Sequence, residues 1–379
     1  MTASRGVLIV GTGLLGTSLG LALRRPGVAQ EVWLDDVDRR RLRLAVDLGA
    51  GQEGPPSTDP AVIIVAVPPR SVVSVVATLG RLYPNSTISD MASVKSRLIL
   101  EIEETLDVSR RFVGGHPMSG RERSGPEAAR GDLFEGRPWV VTPGPSAGVE
   151  HVTRLVDLVR LTGAEPVVMS AADHDVAVAT VSHAPQVLAS ALAAQLSDAP
   201  DAALDVAGPG IRDVTRIAAS DPDLWVDILA ANAGPVAKVL TEVVSRLVTV
   251  RDALASTQSH DVEEQVSRSL DSSTNRDVPE PTASVLRELL VAGRVGHARL
   301  PGKHGAPAVS YAVVPVVIPD EPGALARLFL AAGAAGVNIE DVAIEHAAGQ
   351  PVGLVELSVR LDRAAPLTQA LHDDGWRVH

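Results

Sequence analysis

The sequence predicts an α/β domain built on a parallel sheet over residues 1–169 and an all-α domain over 170–295. A small α+β unit over 311–379 follows a linker at 296–310. Three observations carry that prediction. Up to Met169, short apolar runs alternate with segments of helical periodicity, which is the pattern of βαβ units. From Ser170 to about Arg294 the pattern is almost wholly helical and rich in Ala and Leu. From Tyr311 onward, strand-like and helix-like segments follow in the order βαββαβ.

The elements follow one by one. "GVLIV" (6–10), "EVWLD" (31–35) and "AVIIVAV" (61–67) read as the first three strands, each a short apolar run closed by Gly, Pro or acidic residues. "ISDMASVKSRL" (88–98) reads as a fourth strand entering a helix that Ser93 would cap. A fifth strand leads into "VGGHPMSGRE" (113–122), which places His116 in a turn at the carboxyl edge of the sheet. "GRPWVVTP" (136–143) and "AEPVVM" (164–169) extend the sheet on its far side.

Val176–Ser197 has no charged residue over a length that could cross a bilayer. It holds His183, Pro185 and Gln186, and Asp175 and Asp198 flank it where a membrane span carries Lys or Arg. A long helix inside a domain or a subunit interface is therefore expected, and with it a homodimer and no membrane partner. "AGPGI" (207–211) breaks the helices, and the polar segment Ser256–Thr282 reads as an excursion from the core. "GHARLPGKHGAPA" (296–308) is aperiodic and punctuated by Gly and Pro, as a linker is.

Composition narrows the function. A formal net charge of -12 and a pI near 5.3 exclude a nucleic-acid partner, since neutralising phosphates takes clustered Lys and Arg. With no cysteine among 379 residues, disulfides, thiolate nucleophiles and Cys-ligated metals are excluded, and no other residues show metal-ligand spacing. "MTASRGVLIVGTG" enters a strand and a glycine turn without a signal-peptide pattern, so a cytoplasmic protein is expected.

"GTGLLG", with Gly11, Gly13 and Gly16 around Leu14 and Leu15, follows the first strand and opens a helix. That context makes it a dinucleotide fingerprint on a Rossmann-type domain: tight turn, close approach to a pyrophosphate, helix packed on strand. Asp36 stands where a carboxylate would accept ribose hydroxyls and repel a 2'-phosphate, so NAD is favoured over NADP, with Arg39 and Arg40 as opposing charges. Val67 and Pro68, in "VAVPPR", end the third strand where the cofactor crosses the sheet edge. Ser93 and His116 lie on that same edge. His183 and Gln186 share a helix face at i, i+3, and Arg212 and Arg216 stand one helical turn apart ahead of Asp221, which would cap the helix bearing Trp225. Imidazole, hydroxyl, guanidinium and NAD together suit oxidation of an anionic substrate that carries a hydroxyl.

In this order and at these spacings, "GTGLLG", "DMASVK", "GGHPMSGRE", "VSHAPQ" and "DVTRIAASDPDLW" resemble the prephenate/arogenate dehydrogenases of tyrosine biosynthesis over about residues 5–255. The resemblance implies NAD-dependent oxidative decarboxylation of prephenate to 4-hydroxyphenylpyruvate. It casts His116 as the base on the ring C4 hydroxyl and Ser93 as the group that bonds that hydroxyl and holds the imidazole. Arg216 becomes the carboxylate clamp, with His183, Gln186 and Gly120 as further substrate contacts. On this reading the glycines beside His116 let the turn pass close to nicotinamide and substrate. Gln186 departs from the pattern, because many members carry a second histidine there.

The C-terminal unit resembles an ACT domain, a module that commonly binds amino acids at a paired interface. "PDEPGALARL" matches its ligand loop, with Gly323 and Ala324 at the turn, and "GVNIEDVAI" its second strand, with Asn338 and Ile339. An aromatic amino-acid effector, tyrosine above all, is the expectation; an assembly module without a ligand is the alternative. Other readings stay open at this point: arogenate as substrate, a Rossmann hydroxyacid or imino-acid oxidoreductase, and a catalytically dead NAD and amino-acid sensor. Of the three lysines only Lys95 is near the cleft, which disfavours the oxidoreductases that need a lysine in the helical domain.

Overall fold

The structure is a computed structural model and describes residues 6–28, 31–119, 125–267, 279–300, 311–346 and 352–379. The chain divides into two compact units, residues 1–289 and 290–379, so the α/β and all-α parts pack as one body.

In the first unit the strands are β1 (Val7–Val10), β2 (Val32–Asp35), β3 (Gln52–Glu53), β4 (Val62–Val65), β5 (Thr87–Asp90), β6 (Phe112–Pro117), β7 (Pro138–Pro143) and β8 (Glu165–Val168). They form one sheet in the order β3-β2-β1-β4-β5-β6-β7-β8. The sheet is not wholly parallel. β7 runs antiparallel to β6, pairing His116 with Val140, and β8 follows β7, so the far side is mixed.

The helices α1 (Leu14–Arg24), α2 (Arg39–Asp47), α3 (Pro69–Leu82), α4 (Ser96–Thr105) and α5 (Val149–Leu161) cover both faces. The central strands β1 and β4, buried on both sides, are continuous apolar runs. Val7, Ile9, Leu34 and Ile64 pack with Leu19 and Leu23 of α1 and Leu155 of α5. Leu8, Ile63, Val65 and Ile88 pack with Val72 and Val76 of α3 and Ile102 of α4. Each such fully buried side chain is worth about 1.5–3 kcal/mol.

The helical part holds α6 (Ala171–Val178), a π-helical turn at Ala179–His183, α7 (Ala184–Ala194), α8 (Asp201–Leu204), α9 (Pro209–Thr215), α10 (Pro222–Ala231), α11 (Ala233–Ser267) and α12 (Glu280–His297). The single long helix expected over Val176–Ser197 is thus two helices in near continuation, wound one residue wide between them. Ala171–Asp198 is the one unbroken helical stretch among the described residues long and apolar enough to cross a bilayer, and a third of its apolar window is buried. α11 continues into the polar excursion as far as Ser267, and α12 completes its last turn at His297, inside the segment read as linker. Asp221 caps α10, accepting from the Asp223 amide at 2.9 Å.

The second unit follows the predicted βαββαβ order: β9 (Tyr311–Pro319), α13 (Ala324–Ala334), β10 (Asp341–His346), β11 (Val352–Arg360), α14 (Leu361–Asp373) and β12 (Arg377–Val378). Its antiparallel sheet has the order β10-β11-β9-β12. Val314, Val316 and Ile318 alternate along β9 with half-exposed neighbours and pack on Leu328, Leu367 and Leu371, so one face of the sheet is covered by the two helices.

Candidate functional site

The sheet order reverses direction between β1 and β4, and in such sheets the ligand crevice lies beyond the carboxyl ends of the strands at that point. The Gly11–Gly16 turn, Val67 and Pro68, Ser93 and His116 all come from the carboxyl ends of parallel strands, so the chain order of these motifs converts into one edge. Gly11 has φ +102°, and a Cβ there or at Gly16 would overlap the Ala66 or Gly11 carbonyl oxygen. A Cβ at Gly13 would meet nothing within 4 Å. Gly13 therefore leaves space beside the start of α1, whose first amides have no side-chain cap, and that is the cradle a pyrophosphate needs. Leu14 and Leu15, half-buried, pack this turn onto the core.

Asp36 directly follows β2 with its carboxylate already oriented. Oδ2 accepts from the Thr12 amide at 2.6 Å and the Thr12 hydroxyl at 2.9 Å, while Oδ1 accepts from the Asp38 amide at 2.7 Å. Arg39, one of the opposing cations, is drawn to Glu53 at 3.1 Å. We expect Asp36→Ser to lower the ratio of kcat/KM for NAD over NADP by about tenfold or more, equivalent to ~1.4 kcal/mol of repulsion removed. An unchanged ratio would assign cofactor choice to Arg39 or Arg40.

His116 sits in β6, one residue from its end, and not in a turn. The two glycines before it answer to packing behind the strand. A Cβ at Gly114 would overlap the Thr142 hydroxyl, and one at Gly115 would lie 2.7 Å from the Asp90 carbonyl oxygen. Asp90 and Lys95 form an ion pair, both fully buried, and Asp90 also accepts from the Ala92 and Gly115 amides at 2.9 and 3.2 Å. Burial pulls the Lys95 ammonium below its usual range while Asp90 pulls it back up. The pair ties the end of β5 to the backbone beside His116.

The ring itself is held by His174, which no motif singled out, and by Asp175, expected only as a flank of the apolar helix. His116 Nδ1 lies 2.8 Å from His174 Nε2, and His174 Nδ1 lies 2.8 Å from Asp175 Oδ1. A carboxylate only accepts, so His174 carries its proton on Nδ1 and accepts at Nε2. His116 must then donate from Nδ1, which leaves its Nε2 bare. Asp175 also accepts from the amides of Lys95 and Ser96 at 2.9 and 2.8 Å. It thereby supplies the cap of α4 that Ser93 was expected to give; Ser93 lies in the bend before the helix, and Lys95 holds the capping position.

Burial pushes the Asp175 carboxyl up, but the bonds from His174, Ser96 and Lys95 more than offset this and hold it below the usual carboxylate range. Burial, reinforced by the neighbouring His174, Lys95 and His183, places His116 well below the usual histidine range despite Asp175. The His116 imidazole is thus neutral and bare at Nε2.

His183 and Gln186 are both buried. His183 Nδ1 lies 3.0 Å from the Asn232 amide nitrogen, and its ring meets Trp225 edge-on with centroids 5.9 Å apart. Gln186 donates to the Ile217 carbonyl at 3.1 Å and so fastens the turn Arg216–Ala219 against α7. Arg216, exposed, begins that turn just past the end of α9, so it and Arg212 are on adjoining elements and not on one helix. Arg70 of α3 pairs with Asp227 of α10 at 3.5 Å across the same junction. Gly120 lies outside the described residues. In the second unit, Gly323 has φ +86° and opens α13, Ala324 is buried, Ile339 packs on the core, and Asn338 donates to Glu340 at 2.8 Å.

A glycine cradle at the sheet's switch point, with a neutral imidazole base on the same edge, defines a dinucleotide-dependent oxidoreductase. Two family models match the chain: prephenate dehydrogenase, nucleotide-binding domain, over residues 19–168, and prephenate dehydrogenase, dimerization domain, over 170–268. The chain belongs to the prephenate dehydrogenase family. It is 34% identical over 374 residues to the probable prephenate dehydrogenase NovF of Streptomyces niveus, covering 98% of this chain and 99% of that one. With the prephenate dehydrogenase of Bacillus subtilis it shares 31% over 236 residues, 60% of this chain and 64% of that one. Among solved structures, Aquifex aeolicus prephenate dehydrogenase in complex with hydroxyphenyl propionate and NAD+ aligns with a TM-score of 0.62 and 27% identity, over 77% of this chain and 98% of that one.

Proposed function

We infer that this chain catalyses the NAD-dependent oxidative decarboxylation of prephenate to 4-hydroxyphenylpyruvate, on the way to tyrosine. The observation that carries the reading is the chain His116, His174, Asp175, which leaves a bare, neutral Nε2 at the cofactor edge. His116 takes the proton of the ring C4 hydroxyl at Nε2, with Ser93 bonding the same hydroxyl. When bound, NAD supplies the acceptor for the hydride that leaves C4. The ring carboxylate departs as carbon dioxide, its bonding electrons complete the aromatic ring, and the oxygen recovers its proton from His116. Arg216 grips a substrate carboxylate, and His183 contributes to the substrate pocket, while Gln186 serves it by fastening the Arg216 turn through the Ile217 carbonyl. The test is NADH formation with prephenate and with arogenate in parallel. Turnover of arogenate alone would move the reading to its amino analogue.

Arg216→Ala should raise KM for prephenate by about 10- to 150-fold with a smaller fall in kcat, since a charge-assisted bond is worth about 1.5–3 kcal/mol and a clamp contributes uniform binding. An unchanged KM would make Arg216 structural.

The protein acts as a cytoplasmic homodimer on this reading. Val244, Leu247 and Leu254 stand exposed on α11, in keeping with a dimerisation surface. The second unit binds an aromatic amino acid near Gly323, Ala324, Asn338 and Ile339, and couples it to substrate affinity by about 1–3 kcal/mol. Calorimetric titration of the full chain with tyrosine and phenylalanine checks this, and heat from neither would leave the unit an assembly module.

A further inference from the structure

His183 presents an anomaly. Its ring is 1% exposed, yet Nε2 has no hydrogen-bond partner. Buried polar atoms are almost always paired, so an orphan of this kind calls for an explanation.

The other side of the ring supplies it. The Asn232 amide nitrogen lies 2.8 Å from the Asp175 carbonyl oxygen and 3.0 Å from His183 Nδ1. A carbonyl oxygen only accepts, so the atom facing it is the NH2 group, and the second hydrogen of that group is the one directed at His183. Nδ1 must accept, and the ring proton stands on Nε2. Asn232 is itself 2% exposed and sits between α10 and α11, which meet there at 95°. Immediately before the turn that ends in His183, α6 closes; on it stand His174 and Asp175, so Asn232 grips the helix that orients the base and the neighbouring histidine at once.

We propose that Asn232 is a positioning residue that fixes His183 as an Nε2–H donor, reserved for an acceptor oxygen of the bound substrate. The two histidines are thereby set as opposites: His116 offers a lone pair, His183 a hydrogen. Burial holds His183 down to about 4, so it donates as a neutral imidazole and does not compete for the proton His116 removes. This rests on the activity inferred above.

The test uses the full chain labelled with 15N-histidine, with the His183 signal identified by its loss in His183→Gln. Expected in the parent is a protonated Nε2 and a bare Nδ1; the reverse tautomer overturns the proposal without need of any variant. Asn232→Asp puts an acceptor where the donor was, so the tautomer should invert. KM for prephenate should then rise about tenfold or more, with KM for NAD within twofold and the fold intact by circular dichroism. An inverted tautomer with unchanged KM and kcat would overturn the role toward substrate. Failure of the parent to turn over prephenate would instead sink the activity reading, and the tautomer measurement stands apart from it.

Discussion

The His116→Ala enzyme is expected to lose about 10²- to 10⁴-fold in kcat, the usual worth of a positioned general base, while its affinity for NAD is unchanged. The reason for separating the two readouts is spatial: the glycine cradle and Asp36 come from β1 and β2, and His116 from β6 on the other side of the switch point. In the parent, the lowered affinity of His116 for protons keeps the competent, neutral form in place below pH 6.5. The acid limb of kcat/KM should therefore fall well below that value. Turnover within a few-fold of the parent in His116→Ala, or an acid limb at or above pH 6.5, would remove His116 from the role.

Asp175→Asn should be nearly as damaging, although the proposed reaction assigns Asp175 no contact with substrate or cofactor. Three N–H groups converge on its carboxylate, from Lys95, Ser96 and His174. An amide offers one oxygen and one NH2, and since Oδ1 serves Lys95 and His174 while Oδ2 serves Ser96, the NH2 must face either Ser96 or the other two donors together. If it faces His174 and Lys95, the imidazole turns acceptor at Nδ1, its proton moves to Nε2, and His116 is driven to carry its own proton on the catalytic side. If it faces Ser96 at the start of α4, the helix loses a cap worth about 0.5–2 kcal/mol. Expected is a fall in kcat of about 10² or more together with a lower melting temperature. The double variant His174→Ala, Asp175→Asn should be little worse than the single change, since the residues act as one unit. Additive losses would mean that Asp175 acts elsewhere.

Much of this site can be read from the chain because it is local. The glycine turn, its strand and helix, and Asp36 occupy one βαβ segment, and each glycine has its own steric reason within it. His116 announces itself through its neighbours, although those glycines serve the packing of Thr142 and Asp90 behind the strand. What the pattern hides is tertiary. His174 and Asp175 form an unremarked "HD" pair some 58 residues from His116, and nothing in periodicity aims them at β6. A search for adjacent His and Asp before a long apolar helix could have raised them. Asn232 gave no signal at all. The direction of β7 is equally silent, because an apolar run reads the same in both senses, and β3 at two residues is too short to register. Gln186, read as a substrate contact on resemblance, spends its amide on the Ile217 carbonyl.

The π-helical turn at Ala179–His183 makes the helix through the site a device of fixed angular phase. Each residue advances an α-helix by about 100°, so a turn with one residue too many offsets everything beyond it by that amount relative to what came before. His174 and Asp175 stand upstream of the offset; His183 closes it, and Gln186 stands downstream. Removing a single residue within the turn would relax it to ordinary α-helix and swing α7 through more than a quarter circle, carrying Gln186 off the Arg216 turn. Substitutions at the exposed Thr180 and Val181 are open to the chain so long as they keep the turn's length. A shift of reading by one amino acid is not.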